Sequence, residues 1–253
     1  MYRSTVDTVR AQRANRMLWG LFLLLLAVTI AALCFFYVFL IRHIEFVGNE
    51  RFAADELTQM TGLVYEESML LIDRQAVTEN LQKNPYLAVE QIELQFPSTV
   101  RITVRERSGC ALTQQLGNVL LLDSEGVVLS VDASILQNEM CAVEGWNVLS
   151  SRAGETIEVE QSMQLAAYAA TARELERFDL LGSVRQIDVE NPLGIALTMR
   201  DGMLVKLGDT TEMTMKITWL SKMLDELKDE GYSGGTLDLT SGKSASYLPD
   251  ETE

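Results

Sequence analysis

The chain has 253 residues and a formal net charge of −15, from 36 acidic and 21 basic residues. That balance argues against a general electrostatic footprint for nucleic acid or anionic lipid. A single histidine, His43, argues against a histidine-based metal site or a Ser-His catalytic pair, and three cysteines are too few for a disulfide framework.

Residues 1–16 form a short arm carrying Arg3, Arg10, Arg13 and Arg16 against one acid, Asp7. Met17–Ile41 then runs for 25 positions without a charge or a proline. As a helix it is about 37 Å long, enough to cross a hydrocarbon core of about 30 Å with some tilt. Lipid offers no partners to backbone groups, so a helix is the expected form. Trp19 and Tyr37 suit interfacial aromatics, and the four arginines of the arm outweigh Arg42 and Arg51 beyond the run. The expectation is a single-pass, type II anchor with the N-terminus inside. The run is too long for a cleaved signal, and Cys34-Phe35-Phe36-Tyr37 stands where small residues would be needed. The part after residue 41 carries a net charge of −18.

Residues 44–107 read as β-α-α-β-β. Ile44–Gly48 is a strand closed by Gly48-Asn49, and Asp55–Thr61 is a helix stopped at Gly62. Asp73 caps a second helix that ends at Asn84-Pro85. Ile92, Leu94 and Phe96 alternate with polar residues, as do Val100, Ile102 and Val104, and Pro97-Ser98 joins the two strands. The alternation predicts a sheet with one buried face under the helices and one wet face. The first strand begins almost directly after the anchor, which sets this segment against the membrane surface.

In residues 108–248, Ala111–Gln115, Val119–Asp123 and Val127–Val131 read as strands, and Asp132–Gly154 as mostly loop around Trp146–Leu149. Val159–Phe178 has a helical stripe of Leu165, Tyr168, Ala172 and Leu175. Val184–Val189 is a strand, and Arg200-Asp201-Gly202 joins a hairpin of Ile195–Met199 and Met203–Leu207. A last helix, Glu212–Lys228, carries Met213, Ile217, Leu220, Leu224 and Leu227, a stripe read as core because two heptads do not make a coiled coil. Thr236–Thr240 is the final strand, extended or paired by Ser244–Leu248, before an acidic tail at residues 249–253. The fold class is therefore α+β behind a transmembrane helix, with an exposed C-terminal edge strand.

The first segment resembles the POTRA domain of the FtsQ/DivIB family of bacterial division proteins, on the spacing of Gly48-Asn49, Leu71-Ile72-Asp73, Asn84-Pro85, Phe96-Pro97 and Val104-Arg105-Glu106. The second resembles that family's β-domain, on Gly202, Val205, Leu207, Gly208, Lys216, Asp238 and Leu239. The resemblance implies a divisome scaffold at the septum, helping to regulate septal wall synthesis. Its C-terminal strand would bind a DivIC/FtsB-type protein complexed with an FtsL-type protein. Carried over by position, the partner-binding residues are Thr236, Leu237, Asp238, Leu239, Thr240 and Tyr247; Thr240 stands where family members often carry arginine.

No catalytic, cofactor or metal residues are assigned, and no small-molecule substrate or nucleic acid is expected. Asp188 and Glu190 alternate on a strand and imitate a paired-carboxylate site, but a solvated face is the simpler reading. Asp225, Glu226, Asp229 and Glu230 lack the spacing of a calcium loop. Cys110 and Cys141 are left open between a disulfide and free thiols. The reading from another class is a membrane-anchored peptidoglycan-binding sensor or wall enzyme.

Overall fold

The computed structural model describes residues 19–31, 33, 37–136 and 139–250. The arm at 1–16 and the end of the tail at 251–253 lie outside the described residues. Residues 19–31 are helical, and their large apolar side chains are exposed. Among the described residues no helix is long and apolar enough to cross a membrane. The expected span also includes residues 17, 18, 32 and 34–36, which lie outside the described residues.

The chain divides into two compact units, Met1–Leu81 with Val89–Arg105, and Gln82–Ala88 with Glu106–Glu253. The first is built on β1 (His43–Val47), α1 (Ala54–Thr61), α2 (Arg74–Gln82), β2 (Leu87–Gln95) and β3 (Thr99–Glu106), with a 3-10 turn at Met69–Leu71. The sheet order is β1-β3-β2, and β1 runs parallel to β3 with Ile44 opposite Val100 and Phe46 opposite Ile102. Val100, Ile102 and Val104 are buried with Leu57, Val77 and Leu81 of the helices. On the wet face Arg101 reaches Glu45 at 2.9 Å. Asp73 caps α2 as its sequence position predicts, its Oδ1 accepting from the N–H groups of Gln75 and Ala76 at 3.0 and 3.1 Å. Gly48 has φ +87°, and a Cβ there would lie 2.2 Å from the Val104 carbonyl oxygen, so the turn after β1 requires glycine. The alternation predicted for β2 is weaker than expected. Ile92 and Leu94 are half-buried and Phe96 is exposed, because β2 lies at an edge of the sheet.

The second unit holds a nine-stranded mixed sheet. Its strands are β4 (Ala111–Gln115), β5 (Asn118–Leu122), β6 (Val128–Ser130), β7 (Cys141–Glu144), β10 (Val184–Asp188), β11 (Ile195–Met199), β12 (Leu204–Gly208), β13 (Thr236–Asp238) and β14 (Ser246–Leu248). The order across the sheet is β14-β13-β12-β11-β10-β7-β4-β5-β6, and β8 (Val148–Ser150) pairs with β9 (Glu158–Val159) in a separate ribbon. Helices α3 (Ser162–Arg177) and α4 (Met213–Asp229) supply Tyr168, Ala172, Leu175, Ile217 and Leu220 to one core with Ile187, Leu197, Val205, Leu207 and Leu237. The stripe on α4 is therefore core. A smaller cluster of Leu112, Val119, Leu121, Leu129 and Ala133 forms separately, with Tyr86 packed against it.

Residues 132–154, expected as mostly loop, contain the strand β7, which lies between β10 and β4 and runs parallel to both. Four residues are too few to display a period, and both partners of β7 are distant in sequence, so no local signal marks it. Cys110 and Cys141 are buried free thiols. Burial pushes both up to about 12, with the nearby Glu176 carboxylate adding to the rise at Cys110.

Candidate protein-interaction edge

The two edges of the nine-stranded sheet differ. At the β6 edge the chain folds back on itself: the Val128 N–H donates to the Glu155 carbonyl, and the Gly154 N–H to the Val128 carbonyl, at 2.9 and 2.8 Å. At the other edge, among the described residues, β14 pairs antiparallel with β13 alone, Thr236 lying opposite Leu248, Leu237 opposite Tyr247 and Asp238 opposite Ser246.

The direction of the backbone groups follows from the ladder on the far side of β13. The Leu204 N–H donates to the Gly235 carbonyl and the Leu239 N–H to the Lys206 carbonyl, each at 2.9 Å. The odd-numbered residues of β13 thus turn toward β12, and Thr236 and Asp238 turn toward β14. Leu248 and Ser246 are then the bonded partners, and the N–H and C=O of Tyr247 point outward from the sheet. Pro249 follows Leu248 and has no N–H to offer, so the edge stops there.

The expected partner-binding residues separate into three groups. Leu237 and Leu239 are fully buried in the core, which corrects the expectation that they lie on an exposed edge. Their strand is interior because Ser246–Leu248 does pair with it and moves the edge one strand outward. Thr236 and Asp238 are half-buried on the sheet face away from the helices, and Thr240 is exposed beyond the strand. Asp238 Oδ1 accepts from the Thr240 N–H at 2.9 Å and from its hydroxyl at 2.7 Å. Those two bonds, the backbone one first, hold the Asp238 carboxyl below its ordinary range. Tyr247 alone is on the edge strand itself.

Tyr247 lies on the helix side of the sheet, packed against the main core. Its ring meets Tyr232 at 5.8 Å between centroids and an interplanar angle of 65°. Its hydroxyl donates to the Gly234 carbonyl at 3.1 Å. Partial desolvation and the neighbouring Asp250 carboxylate raise the phenol above its usual value. Gly235 lets β13 and β14 close, since a Cβ there would lie 2.6 Å from the Leu248 carbonyl oxygen. Asp250 Oδ2 accepts from the Gly235 N–H at 2.9 Å and fastens the chain just after the edge strand. Leu248 projects from the open face and is 70% exposed.

Tyr232, Leu248 and Asp250 carry no site signal in the sequence, and Gly234-Gly235 is legible there only as not being a phosphate loop. The Gly234-Gly235 pair was a usable signal, because two glycines before a strand mark close backbone approach.

Lys216, near the start of α4, is buried, and its Nζ donates to the Asp209 carbonyl at 2.8 Å and to Asp209 Oδ1 at 3.2 Å. It pins the turn between β12 and α4. Asp188 Oδ1 accepts from the Glu190 N–H at 2.9 Å, a turn bond rather than a carboxylate pair. Among the described residues no group of three or more His, Cys, Asp or Glu is arranged to hold a metal ion.

Comparison with known proteins matches both units. The family model described as "POTRA domain, FtsQ-type" matches residues 39–107, and that described as "Cell division protein FtsQ/DivIB, C-terminal" matches residues 111–240. Cell division protein DivIB of Clostridium tetani is 21% identical over 197 residues, covering 78% of this chain and 74% of that protein. Cell division protein FtsQ of Anaeromyxobacter sp. is 24% identical over 218 residues, covering 82% of this chain and 70% of that protein. Cell division protein DivIB of Staphylococcus aureus is 21% identical over 220 residues, covering 83% of this chain and 45% of that protein. With the C-terminal family model alone matching half of its length, the chain belongs to the FtsQ/DivIB family of cell division proteins.

Proposed function

We propose that this protein is a non-enzymatic scaffold of the division machinery that binds a DivIC/FtsB-type and FtsL-type complex through the open edge of β14, at the septum, and so helps regulate wall synthesis. Residues 17–41 anchor it in the cell membrane with the N-terminus inside. Residues 44–107 act as a POTRA domain, and residues 108–248 carry the binding edge. The observation that carries this reading is the edge itself: among the described residues β14 has no strand on its outer side, and Tyr247 turns its backbone N–H and C=O outward. A partner strand adding there gains main-chain hydrogen bonds from Tyr247, and specificity from the side chains beside it.

Capture of the partner complex by the full-length protein tests the proposal. Tyr247→Ala removes the ring that seats β14 on Tyr232 and the core, loosening the edge strand, and should weaken capture about tenfold or more. Tyr247→Pro removes the outward N–H while leaving the Ser246 and Leu248 bonds to β13, and should weaken capture further. Undiminished capture by both variants, with circular dichroism unchanged, would remove the edge from consideration.

A further inference from the structure

The first unit carries exposed apolar side chains that its core does not explain, grouped where the chain leaves residues 19–38. Three backbone connections place them. The Met69 N–H donates to the Phe39 carbonyl at 2.9 Å, the Ile41 N–H to the Glu67 carbonyl at 2.8 Å, and the Glu66 N–H to the Ile41 carbonyl at 3.0 Å. Leu40 and Ser68 form an antiparallel bridge. Residues 66–69 therefore run alongside 41–39 in the opposite chain direction, and Leu70 and Leu71 follow at once in the 3-10 turn of Met69–Leu71, whose first residue is bonded to Phe39. On another side, the N–H groups of Arg42 and His43 both donate to the Ser98 carbonyl, at 2.9 and 3.2 Å. That holds the turn after β2 to the same exit, with the Phe96 ring 5.3 Å from the Phe39 ring. Leu70, Leu71 and Phe96 are 41%, 78% and 62% exposed.

The charges have the matching order. Glu66 and Glu67 lie opposite Ile41, farther from the helix than Leu70 and Leu71. Arg42 sets its guanidinium 5.8 Å from the Tyr37 ring centroid, the pairing of a basic and an aromatic side chain found at headgroup depth. Val64 and Tyr65, also exposed, stand in the turn just before Glu66 and Glu67. Apolar side chains nearest the anchor, and carboxylates behind them, are the arrangement of a surface that dips into a bilayer.

We propose that Leu70, Leu71 and Phe96 form an apolar rim that inserts into the boundary between lipid headgroups and acyl chains, seating the first unit on the membrane where the anchor emerges. This rests on the reading of the apolar run as a membrane span, with its last residues, 39–41, paired to 66–69 in the first unit rather than crossing the bilayer. The rim carries no basic cluster, so its insertion is apolar rather than a response to anionic lipid.

Depth-dependent quenching in the full-length protein tests it. In a Cys34→Ser background, an environment-sensitive fluorophore is placed on Leu71→Cys, Phe96→Cys, Leu26→Cys or Leu116→Cys, and each protein is reconstituted in phosphatidylcholine vesicles containing a lipid with a nitroxide near the glycerol end of its acyl chain. Leu71 and Phe96 are exposed in the folded unit, and the native thiols Cys110 and Cys141 are buried, so labelling leaves the core intact. Probes at 71 and 96 should be quenched at least about twofold more than the probe at 116, a loop tip of the second unit. Quenching at 71 and 96 no greater than at 116, with the probe at 26 strongly quenched, overturns the rim and leaves the anchor standing. An unquenched probe at 26 overturns the anchor and the rim with it.

Discussion

Gly48 shows how a family motif reduces to one steric fact. Its φ of +87° and the 2.2 Å approach of a notional Cβ to the Val104 carbonyl leave no room for a side chain. Gly48→Ala should destabilise the first unit by about 1–3 kcal/mol, measured by urea unfolding. Asp238 shows a residue-scale electrostatic effect on the strand beside the edge. Its carboxyl is held below the ordinary value near 3.9 by the Thr240 N–H and hydroxyl. A depressed carboxyl stabilises the fold above its unfolded value, and that contribution is lost as pH falls through the folded value. Thr240→Val removes the hydroxyl bond and should move the Asp238 titration, followed by carboxyl-carbon NMR, upward toward the ordinary value. An unmoved titration would mean that the hydroxyl contributes nothing. Cys110 and Cys141, pushed up to about 12, should resist alkylation at neutral pH in the folded Cys34→Ser protein and react fully once it is unfolded.

At the scale of elements, the helices were legible because their apolar residues recur every three or four positions and their ends carry recognisable stops. The α4 stripe separates two meanings of the same pattern. Ile217 is fully buried and Met215 is 50% exposed. Ile217→Ala should cost about 2–5 kcal/mol and Met215→Ala little, by chemical denaturation. Equal costs would contradict the core reading of that stripe. Strands were legible where a turn bracketed them, as at Arg200-Asp201-Gly202, and illegible where only tertiary partners define them. The missed β7 is such a case: with neighbours on both sides in β10 and β4, its hydrogen bonds are all non-local. The residues expected to bind a partner fared similarly. Tyr247 stands on the edge, but Leu237 and Leu239 sit inside, because a three-residue strand 8–10 positions later takes the outer place.

At the scale of the whole molecule, Trp146 and Trp219 both lie in the second unit, and Trp19 lies in the exposed apolar helix of the first. In a Trp19→Phe background, tryptophan fluorescence should therefore follow unfolding of the second unit, and Gly48→Ala should leave that transition in place while lowering the first. A fluorescent fusion of the full-length protein should form a band at midcell in dividing cells. A uniform peripheral signal would count against the septal role.

What the sequence by itself determined is what short-range physics controls: an apolar run of 25 residues, the β-α-α-β-β order of the first segment, the caps and turns, and the amphipathic helices of the second. Motif spacing also carried the resemblance to the division proteins. Only the tertiary structure decided which strand is the edge, which way Tyr247 turns its backbone, and that Leu70, Leu71 and Phe96 gather where the chain leaves the apolar helix. Those properties depend on pairings between residues far apart in sequence, and an alternating pattern records which face of a strand is buried but not which strand lies next to it.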